Sequence, residues 1–151
     1  MTPVTRLVRA TGALGRLLPA LLATAAGGAT AQAAFDGTWQ ATVVCSDHQS
    51  ASGMVAKGYT LVMDATVRQG WLDGQYGKPG SANSLRLSGA IQPDGQASLV
   101  AEGFTGNPQY SIDRVPSSSR YSYTLKSRFE ARRGSGQRVE GRPCEAVFVR
   151  P

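Results

Sequence analysis

The chain has 151 residues, 41% hydrophobic and 17% charged, with a formal net charge of +6, two cysteines and one histidine. That length suits one core of moderate size. Two thiols and His48 are too few for a metal cluster, so neither metal nor cofactor is expected.

Residues 1–33 have the pattern of a secretory signal peptide. Arg6, Arg9 and Arg16 precede the apolar run Leu17 to Ala26, and Ala31-Gln32-Ala33 supplies the small-x-small cleavage pattern. The run falls well short of the roughly 20 residues that span a bilayer. No later stretch is long enough either, so no transmembrane segment is expected after cleavage. Residues 34–151 are then a single domain in the periplasm or outside the cell. Three of the sixteen basic residues leave with the signal, so thirteen face ten acids and the mature charge is +3. In an exported chain, Cys45 and Cys144 are expected to form one disulfide.

Phe35 to Cys45 opens the folded part. Trp39, Ala41, Val43 and Cys45 share one side of an extended chain, and Thr38, Gln40 and Thr42 share the other, the period of a half-buried strand. Near the C-terminus, Cys144, Ala146 and Phe148 form a matching face. Antiparallel pairing that sets Cys45 against Cys144, Val43 against Ala146 and Ala41 against Phe148 would close first and last strands into a ring.

Between them, Ser46 to Gly58 has little apolar pattern and reads as a loop holding His48. Residues 59 to 67 alternate as a second strand, Trp71 to Tyr76 form a third, and Leu85 to Ile91 a fourth. Gln92-Pro93-Asp94-Gly95 is a hairpin turn by its chemistry, leading into a fifth strand with Ala97, Leu99, Ala101 and Gly103 on one side. The segment from Thr105 to Ser119 is irregular, with a short strand expected over Tyr110 to Val115. Arg120 to Phe129 is a strand with Tyr121, Tyr123, Leu125 and Phe129 inward. Arg132 to Gln137 reads as a turn. Apolar parity then changes between Val139 and Cys144, which predicts a break near Arg142-Pro143.

The inventory is all-β: seven or eight short antiparallel strands at hairpin spacing. A meander barrel removes both sheet edges at once and is the expected fold, with a β-sandwich bridged by the cysteines as the alternative.

Gly37-Thr38-Trp39 resembles the Gly-x-Trp strand start of the calycins, the lipocalin and avidin-like barrels, and this implies that Trp39 closes a barrel floor. Over most of residues 34–151 the chain is similar to a group of small exported bacterial proteins of unassigned function. That resemblance is carried by Asp36-Gly37-Thr38-Trp39, Cys45, Pro93-Asp94-Gly95, Thr105-Gly106-Asn107-Pro108, Tyr121-Ser122-Tyr123, Arg138-Val139-Glu140 and Arg142-Pro143-Cys144. It implies one exported domain with a cysteine pair. The Gly-x-Trp start is also similar to that of periplasmic barrel-shaped inhibitors of proteases or lysozyme, which makes hydrolase inhibition an alternative role.

The ten acids are scattered singly, and no nucleophile elbow, zinc-protease helix or phosphate loop occurs, so catalysis is not expected. Two binding sites are. Trp71, Tyr76, Tyr121 and Tyr123 are candidate contacts for a small apolar ligand at a barrel mouth. Arg120, Lys126 and Arg128, extended by Arg132 and Arg133, are a candidate basic surface for an acidic protein or an anionic envelope polymer. Export disfavours nucleic acid as a partner.

Overall fold

The computed structural model describes residues 34–151, so the signal peptide expected at 1–33 lies outside the described residues. Strand β1 (Gly37–Cys45) buries Trp39, Ala41, Val43 and Cys45, as its alternation requires. After a small hairpin of β2 (His48–Gln49) and β3 (Val55–Ala56), the chain continues through β4 (Tyr59–Arg68), β5 (Trp71–Tyr76), β6 (Ser84–Ala90) and β7 (Gln96–Phe104). It ends with β8 (Arg120–Phe129), β9 (Arg133–Arg138) and β10 (Cys144–Val149). From β4 to β10 each strand pairs antiparallel with the next; β1 pairs with β4 on one side and β10 on the other, closing an eight-stranded barrel. The fold is therefore a calycin-like meander barrel rather than a sandwich. Among the described residues no helix is long and apolar enough to cross a membrane.

The closing seam has the register read from the two apolar faces: Ala41 opposite Phe148, Val43 opposite Ala146, and Cys45 opposite Cys144. The two cysteines form a disulfide across directly opposed positions, with Cα atoms 4.0 Å apart. It links the ends of the barrel sequence, 99 residues apart.

Three segments differ from their sequence reading. The stretch expected as a turn, Arg132 to Gln137, is mostly strand β9, and the reversal is confined to residues 130–132. Its glycines are space-makers at period two. A Cβ on Gly134 would lie 2.9 Å from the Phe129 ring and one on Gly136 only 2.3 Å from the Ser127 hydroxyl, so bulk contributed by β8 fills the room that β9 leaves. Tyr110 to Val115 forms no strand; two 3₁₀ turns, Pro108–Tyr110 and Ile112–Arg114, occupy it, with the Asn107 side chain capping the first. Ser46 to Gly58 holds the β2–β3 hairpin, in which His48 pairs with Ala56. The expected break near Arg142-Pro143 is present as the β9–β10 connection.

One end of the barrel is sealed. The Trp39 indole meets the Phe129 ring edge-on at 5.5 Å, and Phe129 lies 4.7 Å from Phe148. The indole N–H donates to the Phe35 carbonyl at 2.8 Å. Arg150 lies over Trp39 and donates to the carbonyls of Ala34, Asp36 and Ala131, tying both chain termini to the β8–β9 reversal. The Gln92-to-Gly95 turn fits against this floor. Gly95 has φ +86°, and a Cβ there would lie 2.2 Å from the Phe129 carbonyl oxygen, so glycine is required twice over.

Candidate functional site

The opposite end is built differently. It is rimmed by the β2–β3 hairpin, the loop at residues 77–83, the long β7–β8 connection and the β9–β10 turn. Thr105 organises the long connection. Its hydroxyl donates to the Pro116 carbonyl at 2.5 Å and accepts the Ser119 amide at 3.0 Å, while its carbonyl accepts the Ser118 amide at 2.9 Å. The 3₁₀ segment is tied to the hairpin by Ser52 donating to the Asp113 carboxylate and by the Lys57 amide donating to the Gln109 carbonyl. These bonds fold residues 105–115 across the barrel opening.

Beneath that cover lies a pocket of about 320 Å³. Tyr59, Leu61 and Tyr121 form its barrel wall, and Tyr110, Ile112 and Val115 come from the covering segment. Arg120, Arg138 and Arg142 also line it, and among the described residues no carboxylate does. Tyr121 stacks parallel to Tyr123 at 6.1 Å and donates to the Ser84 carbonyl at 3.2 Å. Gly103 admits that ring: a Cβ there would lie 2.8 Å from the Tyr121 hydroxyl.

Arg142 is the anchor of this end. It is only 2% exposed, and its guanidinium donates to the carbonyls of Tyr110 and Lys57, each at 2.8 Å, and to that of Ser46. One side chain thus joins the hairpin, the 3₁₀ segment and the β9–β10 turn. It lies over the Tyr59 ring at 5.0 Å, and its Nε is buried without a partner among the described residues. Burial lowers its pKa, with the Arg138 charge acting in the same direction and Tyr59 opposing. Arg138 lies 4.1 Å over the Tyr123 ring and donates to the Glu140 carbonyl. Burial raises the pKa of Tyr59, Tyr121 and Tyr123, so all three hydroxyls remain protonated at neutral pH.

The residues singled out in the sequence are distributed unevenly around this pocket. Tyr121 lines it, Tyr123 is buried directly beneath Arg138, and Tyr76 packs against the core without reaching the pocket. Trp71 is at the wrong end: it starts β5 beside the β4–β5 turn, faces outward and is 52% exposed. Parity explains this, because Leu72 and Gly74 take the inward positions. Of the basic surface, Lys126 and Arg128 are exposed on the outer face of β8, with Lys126 donating to Ser98 at 3.2 Å. Arg132 and Arg133 are exposed at the adjoining reversal. Arg120 leaves this group. Six residues along β8 from Lys126, roughly 20 Å at strand rise, it lies over the Phe104 ring at the pocket mouth.

The sequence reading missed Tyr59, Arg138 and Arg142. The signal for Arg138 was the period-two spacing of Gly134 and Gly136, which sets residue 138 facing inward once the segment is recognised as a strand. Among the described residues no group of three His, Cys, Asp or Glu side chains is placed to hold a metal ion. The chain matches no protein-family model, no curated protein and no solved structure.

Proposed function

We propose that the chain is an exported, non-enzymatic binding module of the cell envelope that takes a small molecule at the open mouth of its barrel. The observation that carries this reading is the 320 Å³ pocket, walled by tyrosines and aliphatic side chains in a barrel whose other end is filled. Its volume is at the lower end of the roughly 300–1,000 Å³ range of ligand sites, which favours a compact ligand over a long lipid chain. A disulfide fits an oxidising compartment, and residues 1–33 supply the export signal.

Native mass spectrometry of protein purified gently from its own envelope tests the reading. The expected result is a discrete bound mass that disappears in Ile112→Trp, which fills the pocket from its cover. Ligand-free protein, or an adduct that persists in Ile112→Trp, would contradict it.

The basic outer face supports a second reading. Lys126 and Arg128 flank a groove of about 540 Å³ over β7 to β10, suited to an anionic envelope polymer or an acidic protein. The mouth ranks first because Glu145 shares that groove and offsets its charge, whereas acids are missing from the lining of the mouth.

A further inference from the structure

We infer that the mouth pocket selects an anionic ligand, a compact aromatic or aliphatic molecule carrying one carboxylate-like group, held beside Arg138 and Arg142. The inference rests on the pocket being a ligand site and adds the charge of what enters it.

Three guanidinium groups line the cavity without a single acid among its walls. The acids close to this rim are engaged elsewhere. Glu140 is turned to the Thr124 amide at 2.8 Å, Asp47 to the Gly58 amide at 2.5 Å, and Asp113 to the Ser52 hydroxyl. The only ion pair among the described residues, Arg86 with Asp73, is on the outer wall. Arg142 is therefore a buried cation held by carbonyl dipoles and the Tyr59 ring, with the Asp47 carboxylate acting on it only from beyond ion-pair distance and Nε without a partner among the described residues. A buried cation without a counter-ion is costly, and removing that deficit is a direct source of affinity for an anion. Protonated Tyr59 can add a neutral hydrogen bond without repelling it.

The remaining wall sets the rest of the ligand. Leu61, Ile112 and Val115 face the same space and require an apolar body. A 150 Å³ apolar cavity holds about one benzene ring, so 320 Å³ accommodates about two fused rings or a branched aliphatic of that size.

Calorimetric titration with 2-naphthoate and its uncharged isostere 2-naphthamide decides the question. Naphthoate should bind at least about tenfold more tightly, the scale of one charge-assisted hydrogen bond. Arg138→Gln should bring naphthoate down to the naphthamide affinity and leave naphthamide unchanged, while Ile112→Trp should weaken both. Should Arg138→Gln fail to fold, Arg120→Gln removes an exposed pocket charge and should reduce the preference about threefold. Equal affinities for the two probes, both lost in Ile112→Trp, would overturn the charge inference and leave the pocket reading standing. No binding of either probe, or binding indifferent to Ile112→Trp, would overturn both.

Discussion

The two ends of this barrel share a device and use it to opposite effect. At each, an arginine lies over an aromatic ring and collects backbone carbonyls: Arg150 over Trp39 at one end, Arg142 over Tyr59 at the other. At the floor the ring beneath is fully buried, its N–H is satisfied by Phe35, and Phe129 and Phe148 occupy the space around it. At the mouth, the rings are tyrosines, the covering segment stands off from them, and Tyr123 Oη and Arg142 Nε are two of the three buried polar side-chain atoms without a partner among the described residues, the third being Ser127 Oγ on β8. A site that is full and satisfied stabilises; one with room and unmet polar capacity is equipped to receive something. The mouth is the second kind.

Substitutions at the two ends should therefore differ in what they change. The largest effect is expected from Trp39→Ala, which empties the floor and should cost about 4 kcal/mol of unfolding free energy in denaturant titration, as for other large buried aromatics. A loss below about 1 kcal/mol would show that the floor is not the packed end. Replacing Cys45 and Cys144 together by serine should cost about 3 kcal/mol, because the bond links the chain across almost the whole barrel. Parental stability in that variant, measured without reductant, would mean that the seam holds through its strand pairing alone.

Tyr123→Phe should do the reverse and stabilise by about 1 kcal/mol, because it removes a buried hydroxyl that has no partner. It also sharpens a pH effect. Tyr59, Tyr121 and Tyr123 have folded pKa values raised above the ordinary 10.0, mainly by burial. The folded chain therefore keeps protons that the unfolded chain releases, so stability is intact below pH 10 and falls as pH rises beyond it. The alkaline slope should be shallower in Tyr123→Phe by roughly a third, since one of three such groups is gone. An unchanged slope would remove Tyr123 from the titrating set.

The smallest effect is expected for Lys126→Glu with Arg128→Glu. Both side chains are exposed, and their reversal should alter stability by less than about 0.5 kcal/mol. Small-molecule binding at the mouth should be unchanged as well. Loss of the native bound species in this double variant would favour the outer face over the mouth.

The barrel was legible because period-two patterning survives wherever the inward residue is apolar. β1, β4 and β10 carry it cleanly enough to give the Ala41–Phe148 register of the seam. It failed at β9, where the inward positions are glycines that make room for β8 and so look like turn punctuation. The site was less legible for a related reason. Tyr121 could be placed by alternation, but Arg142 is in a connection with no period, and its importance comes from three carbonyls contributed by segments up to 96 residues away. Trp71 shows the converse, a large ring that attracted a functional reading and that strand parity turns outward.

Amide shift mapping of the isotopically labelled domain during titration with 2-naphthoate tests the central claim most directly. The account predicts shifts confined to Tyr59, the 105–115 segment, Tyr121 and Arg138 to Arg142, with Trp39, Phe129 and Arg150 silent. Shifts centred on Gln96, Lys126, Arg128 and Gln137, or no shifts at saturating probe, would contradict it.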